Sequence, residues 1–223
     1  MPGQEKAVNE PRSRFERHHH FGAYAALIVR GSCSEAGDRG RIHATVGDVL
    51  VHRPFDAHYD IIGAEGATFL HFVFDTSIDC SFGTVNDVDV VMLAYDRDPL
   101  EAATLVQGQL RCASGIAQDW PDLLAHDLSR QDIDAEGPVL EEWADAHCLH
   151  PTTISRGFRL AYGVGPKRYR LQQRASSAAR RIHAGTESLS QIAAGTGFSD
   201  QAHMTRTLSK LFGFTPGALR RLS

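Results

Sequence analysis

Apolar positions follow two different rhythms along the chain. From Phe21 to Phe74 they come in short runs broken by glycine, with no helical period. The longest run, the seven residues Ala23–Val29, predicts a buried strand over Tyr24–Arg30. Gly31, Gly37 and Gly40 are expected to turn the chain around the next strand, Arg41–Thr45. Gly47-Asp48 predicts a tight turn into Val49–His52, Pro54 interrupts, and Phe69–Phe74 reads as a further strand. Strands at this spacing predict a small all-β barrel or sandwich. Beyond Asp75 the period lengthens. Asp98-Pro99 reads as a helix N-cap followed by proline at the first helical position. Leu100, Ala103, Val106 and Leu110 then form an apolar stripe, and a second short helix is expected over Trp120–Arg130. The polar, acidic segment Gln131–Gly137 is expected to join two modules.

The remaining sequence contains a repeat. Ser155–Arg170 aligns with Thr205–Arg220 at an offset of 50 residues. Arg156 falls on Arg206, Tyr162 on Phe212, Gly163 on Gly213, Pro166 on Pro216 and Arg170 on Arg220. With a one-residue gap, Trp143-Ala144 falls on Ile192-Ala193 and Leu149 on Phe198. Aromatic, glycine and proline positions are the ones a shared backbone needs, so this is a duplicated supersecondary unit. Each copy predicts a short helix (Val139–His147; Leu189–Gly195), a tight turn and a longer helix (Thr152–Tyr162; Asp200–Phe212). Ser199 is a natural N-cap for the last of these. Met204, Leu208, Leu211 and Phe212 form its apolar face, with Gln201, His203, Thr207 and Lys210 off it. In the first copy Ile154, Phe158 and Ala161 face inward. Gly163 and Gly213 stand where a glycine ends a helix, and Pro166 and Pro216 open the next. Short helix, turn and longer helix with a polar outer face is a helix-turn-helix pattern.

Pro166–His183 reads as one linker helix. Its inner stripe is Leu171, Ala175, Ala178 and Ile182, and its outer side carries Lys167, Arg168, Arg170, Arg174, Arg180 and Arg181. A rod of roughly 27 Å would hold two reading helices near the ~34 Å recurrence of the major groove. The arginines of this rod are expected to touch DNA backbone rather than bases.

Charge sharpens the division. The whole chain has a formal net charge of −4. Gly137–Ser223 holds 12 basic and 5 acidic residues, a net of +7, leaving 11 basic and 22 acidic residues in the rest, a net of −11. A basic C-terminal module fits a phosphate-bearing partner. At 42% hydrophobic and 22% charged the composition is that of a globular chain, which excludes collagen-like and low-complexity classes. Seven apolar residues are too few for a membrane helix, which needs roughly 20, and MPGQEKAVNEPRSR does not read as a secretory signal. Cys33, Cys80, Cys112 and Cys148 lie far apart and form no CxxC pair. They read as reduced thiols of a cytoplasmic protein rather than a disulfide frame or zinc knuckle.

The stretch SLSQIAAGTGFSDQAHMTRTLSKLFGFTPGALRR resembles the C-terminal signature of AraC/XylS-type transcriptional regulators, and the resemblance covers roughly Val139–Arg221. It implies a sequence-specific DNA-binding regulator, not an enzyme. The longer helix of each copy would read DNA through Pro151, Thr152, Thr153, Ser155, Arg156 and Arg159, and through Ser199, Asp200, Gln201, His203, Arg206 and Thr207. By chemistry, Gln201 suits adenine, and Arg156 and Arg206 suit guanine or phosphate, while Asp200 suits a helix cap. The family pattern is departed from at His150, where a serine cap is usual, at Gly157, and at Met204, where an aromatic is more common.

The resemblance also implies a cupin-like sensor in the N-terminal part. His18-x-His20, Tyr24 and GDVLVHRPFDAH (Gly47–His58) are similar to a degenerate cupin pattern. The expected architecture is α+β with two domains. A cupin-like β-barrel covers residues 1–98, connecting helices and a linker cover 99–136, and a double helix-turn-helix domain covers 137–223. His18, His20 and His58 are candidate metal ligands, with His52 another. Tyr24 stands where metal-binding cupins carry a glutamate, so the histidines are expected to brace the barrel, with no cofactor. The expected partners are double-stranded promoter DNA, a small-molecule effector in the barrel mouth, RNA polymerase if the protein activates, and a second copy through the Asp98–Cys112 helix, with no membrane. Two other classes stay open: a cupin-type metalloenzyme with a basic helical appendage, and a cysteine-based sensor using Cys33 or Cys148.

Overall fold

The computed structural model describes residues 5–73, 80–113, 119–129 and 139–221. The chain divides into two compact units, Met1–Ala117 and Gln118–Ser223. The architecture is α+β, with a sheet in the first unit and, among the described residues, helices alone in the second.

The first unit contains β1 (Lys6–Asn9), β2 (Arg14–His19), β3 (Tyr24–Gly37), β4 (Gly40–Thr45), β5 (Asp48–His52), β6 (Ala57–Val73), β7 (Phe82–Thr84), α1 (Val88–Arg97), α2 (Pro99–Gln109) and β8 (Arg111–Cys112). The strands form one antiparallel sheet in the order β1-β6-β3-β5-β7-β8, with β2 added on β6 and β4 on β3. The run at Ala23–Val29 is apolar throughout because both faces of β3 are covered. Ala25 and Leu27 pack with Val49, Val51, Leu70 and Phe72 against Val91 of α1 and Ala102, Ala103 and Val106 of α2. Tyr24, Ala26 and Ile28 face the other way and pack with Cys33, Leu50, Ile62 and Phe69. The period of two thus sorts one strand between two cores.

Several sequence expectations need correction here. Gly31 does not turn the chain, and β3 runs through it to Gly37. Its φ is +74°, and a Cβ there would lie 1.9 Å from the Gly66 carbonyl oxygen. The β3–β6 register slips on either side of it, so Gly31 marks a bulge. The first half of β6, with glycines at 63 and 66, was not expected as strand, nor was α1. Asp98 does cap α2, accepting from the Leu100 amide at 2.9 Å. The stripe is shifted, however: Ala102, Ala103 and Val106 are buried, and Leu100 is 64% exposed. Cys80 and Cys112 form a disulfide, with Cα atoms 5.7 Å apart, where reduced thiols were expected. The β7–β8 pairing brings them together across 32 residues of sequence. Phe74, at the end of an expected strand, lies outside the described residues.

The second unit contains α3 (Trp120–Ser129), α4 (Leu140–Ala146), α5 (Pro151–Tyr162), α6 (Pro166–Ala184), α7 (Leu189–Gly195), α8 (Gln201–Phe212) and α9 (Pro216–Arg221). The expected linker Gln131–Gly137 and Arg130 lie outside the described residues. An aromatic group ties α5 to α6: Phe158, Tyr162 and Tyr169 have ring centroids 4.7 to 5.3 Å apart. The Tyr162 hydroxyl donates to Asp122 of α3 at 2.7 Å, and Trp143 Nε1 of α4 donates to Asp127 of α3 at 2.9 Å. Trp120 explains Gly157, since a Cβ at Gly157 would sit 2.5 Å from Trp120 Cζ2. Among the described residues no helix is long and apolar enough to cross a membrane.

In an open helix interior, Gly→Ala stabilises by about 1 kcal/mol. At Gly157 the Trp120 ring reverses the sign, and Gly157→Ala should destabilise the second unit by roughly 1–2 kcal/mol. Thermal unfolding of Gly157→Ala and of Gly157→Ala with Trp120→Ala checks this, and the second change should reduce the cost of the first.

Candidate functional site

The repeat is visible in the backbone of the second unit. In the α4–α5 turn, the amides of His147 and Leu149 donate to the Ala144 carbonyl at 3.2 and 2.9 Å. In the α7–α8 turn, the amides of Thr196 and Phe198 donate to Ala193 at 3.3 and 3.0 Å. Cys148 (φ 53°) and Gly197 (φ 74°) take the same left-handed position in the two turns. Gly163 and Gly213, each with φ 74°, end α5 and α8. One sequence grammar has therefore folded twice into the same short helix, turn and longer helix.

The longer helices start differently. His150 caps α5 through Nδ1, which accepts from the Thr152 amide at 3.3 Å, replacing the usual serine. Asp200, not Ser199, caps α8, accepting from the His203 amide at 2.6 Å. That hydrogen bond holds the Asp200 carboxyl below its usual range. On α5, Ile154, Phe158 and Tyr162 are buried, while Pro151, Thr152, Thr153, Ser155, Arg156 and Arg159 are exposed. On α8, Met204, Leu208 and Phe212 are buried, while Ser199, Asp200, Gln201 and Arg206 are exposed around its first turns. His203 is half-buried, with Nδ1 3.1 Å from the Ser199 hydroxyl. Thr207 was expected off the buried face but is only 8% exposed.

The expectation for α6 is corrected more strongly. Pro166, Tyr169, Gln172, Gln173, Ile182 and the run Ala175–Ala179 are buried, so the helix is covered on most sides. Lys167 and Arg168 are exposed. Arg174 and Arg181 instead fold onto the second repeat. A Cβ at Gly197 would lie 2.9 Å from Arg174 Nε, and one at Gly195 would lie 2.5 Å from Arg181 Nη1. Arg181 is also paired with Glu187. These two arginines brace α7 and its turn.

The first unit carries an open-mouthed cavity of about 290 Å³ on the inner face of the sheet. Phe15, Ala26, Leu50, Ile62 and Phe69 form an apolar lining, and His18, His20, Tyr24, Glu35, His52, His58 and Asp60 form a polar one. His18 on β2 stands opposite His58 on β6, and Asp60 on β6 stands opposite Glu35 on β3. His58 uses both edges of its ring. Nε2 lies 2.9 Å from His20 Nε2 and 3.1 Å from the Tyr24 hydroxyl. Nδ1 lies 2.9 Å from Asp60 Oδ1 and 3.3 Å from Glu35 Oε2. Glu35 Oε2 is also 3.4 Å from His52 Nε2. The candidate set His18, His20 and His58 is therefore assembled, and a second set, Glu35, His52 and His58, lies beside it.

Burial governs the ionisation of these groups. It pushes His20 down to about 3, helped by His58 and His18, and drives His52 and His58 well below the ordinary imidazole range. It raises Asp60 to about 6 and lifts Glu35 well above a normal carboxyl, with Asp60 adding to that rise. The imidazoles are thus held neutral. Burial also pushes the Cys33 thiol up, which removes the thiolate a cysteine sensor needs there.

Glu35 and Asp60 were not among the candidates. Glu35 is found only if a bulge is allowed at Gly31, because the bulge shifts the two-residue period of β3 and turns Cys33 inward together with Tyr24, Ala26 and Ile28.

Residues 143–222 match the family described as "Helix-turn-helix domain". They form an AraC-type helix-turn-helix domain. The chain is accordingly a DNA-binding transcription regulator. No curated protein matches it. Three solved structures illustrate what it is similar to. ToxT from Vibrio cholerae O395, bound to (E)-4-(8-methylnaphthalen-1-yl)but-3-enoic acid, is 10% identical over 98% of this chain and 99% of that chain, with a TM-score of 0.45. A transcriptional regulator with an AraC-type DNA-binding domain from Chromobacterium violaceum is 22% identical over 44% of this chain and 86% of that one, with a TM-score of 0.40. The DNA-binding domain of AdpA in complex with a target DNA is 23% identical over 44% and 83%, with a TM-score of 0.36.

Within the AraC-type domain, the α8 cap yields a pH-dependent expectation. The Asp200 carboxyl is lowered by its hydrogen bond to the His203 amide. A lowered acid stabilises the fold above its unfolded value of 3.8, and the contribution is lost as pH falls through the folded value. Asp200→Ala should lower the thermal midpoint of the domain near neutral pH and flatten its acid dependence below about pH 4. Asp200→Asn should keep more of the neutral-pH stability. Midpoints measured from pH 7 to pH 2 check both.

Proposed function

We propose that the protein binds promoter DNA sequence-specifically through α5 and α8, and that a small molecule in the cavity of the first unit controls it. One observation carries this reading: two copies of the same turn, hydrogen bond for hydrogen bond, each present a longer helix with a buried apolar face and an exposed polar one. Such helices enter successive major grooves. Gln201, exposed one residue after the Asp200 cap, is the adenine reader. Arg156 and Arg159 on α5 and Arg206 on α8 contact guanine or phosphate, and Pro151, Thr152, Thr153 and Ser155 line the groove around them. Ser199 and His203 position the start of α8, and inward-turned Thr207 has at most a packing role. The cavity suits a compact ligand with an apolar body and a polar end, since its lining combines Phe15 and Phe69 with the histidines. RNA polymerase is the further partner if the protein activates, and α2 is the segment for a second copy.

The test uses a duplex selected by the protein from a random pool. Gln201→Ala should weaken binding to that duplex by roughly 1–3 kcal/mol and leave binding to random duplex nearly unchanged. Equal losses on both would remove Gln201 as a reader. Affinity for either duplex should fall steeply with salt, and a flat salt dependence would count against phosphate contacts.

A further inference from the structure

The geometry points to a second kind of ligand in the first unit: one divalent transition-metal ion of the zinc type, held by Glu35, His52 and His58, with Asp60 beside His58. This site is independent of the DNA reading and uses the Nδ1 edge of His58, away from His18 and His20. Three observations lead to it.

The first is distance. Glu35 Oε2 lies 3.3 Å from His58 Nδ1 and 3.4 Å from His52 Nε2. Two ligands bonded at about 2.1 Å and set at a tetrahedral angle stand about 3.4 Å apart. The three donor atoms all lie within 4.8 Å of one another, and all three residues are buried. Asp60 already reaches His58 Nδ1 at 2.9 Å from either carboxylate oxygen.

The second is charge. Glu35 and Asp60 are direct cross-strand partners in the β3–β6 ladder. Two buried carboxylates in that register cannot both stay ionised unless a cation lies with them. Arg17 contributes from β2, but its guanidinium donates to the Ala36 carbonyl at 2.7 Å and is ion-paired with Asp38. A divalent ion bonded to Glu35, with Asp60 on the neighbouring strand, balances both carboxylates. The set His18, His20 and His58 contains no carboxylate to balance such an ion, and His18 and His20 are half-buried rather than buried.

The third is the outer shell. His58 Nε2 faces His20 Nε2 at 2.9 Å and the Tyr24 hydroxyl at 3.1 Å. A His58 whose Nε2–H donates to His20 turns the Nδ1 lone pair toward Glu35 and Asp60. Metal-bound histidines are oriented in this way, through a hydrogen bond from the other ring nitrogen. His20 and Tyr24 are thus positioning residues, while Glu35, His52 and His58 touch the ion.

The experiment uses the full chain, stripped with chelator and titrated with Zn²⁺ by calorimetry and with Co²⁺ by visible absorption. The wild type should bind one ion per chain with a tetrahedral Co²⁺ spectrum. Glu35→Gln and His52→Gln should each weaken binding by more than the roughly 10–100-fold typical of an outer-shell partner. His20→Gln should fall within that range, and His18→Gln should bind as the wild type does. Circular dichroism checks folding, and the two ligand variants are read independently, so a misfolded one leaves the other decisive. A wild type that binds no ion would overturn the proposal. So would Glu35→Gln and His52→Gln binding normally while His18→Gln does not. Neither result bears on Gln201 or DNA binding, so the two readings fail separately.

Discussion

A helix covered on most sides cannot also serve as an open cationic rod, and the second unit is organised around that constraint. The run Ala175–Ala179 gives α6 a narrow, nearly featureless girth, so neighbouring helices can approach it closely. Tyr169 at one end meets Phe158 and Tyr162 of the first repeat. Arg174 and Arg181 further along lie over the glycines of the second. Each repeat is therefore fixed to α6 by a different chemistry, aromatic packing for one and guanidinium-over-glycine contact for the other. The positions of α5 and α8 follow from their packing on α6.

The helical half was legible because its signals are local. Caps, prolines at first helical positions and glycines at helix ends lie within a few residues of what they specify. The predicted limits of α5, α6, α7 and α8 hold to within one residue. What could not be read was which polar side chains the tertiary fold would claim. Arg174, Arg181 and Thr207 look available on a helical wheel, and only packing against a neighbour shows that they are not.

The sheet was harder to read because its punctuation misleads. Glycine in a strand pattern suggests a turn, yet Gly31 and Gly66 lie inside β3 and β6, where the sheet bends. Ending β3 at Arg30 leaves Glu35 in a loop and hides the carboxylate that faces His52 and His58. The histidines themselves were visible from their spacing. Their acidic partners came from strand pairing over a separation of 25 residues, between Glu35 and Asp60, which no local pattern encodes. The cavity is thus half local in origin and half a product of register.

The contact between Gly31 and Gly66 has a bearing on how this sheet can diverge. With the Gly66 oxygen only 1.9 Å from where a methyl at position 31 would stand, the Asn9 carbonyl oxygen 2.8 Å from where one at position 66 would stand, and left-handed backbone at both residues, neither position has space for a side chain. A larger residue at one site finds no relief from a smaller one at the other, since nothing is smaller than glycine. Homologous chains that retain this bend should therefore keep both glycines together, and those that lose one should reach the inner acidic position by a different strand path.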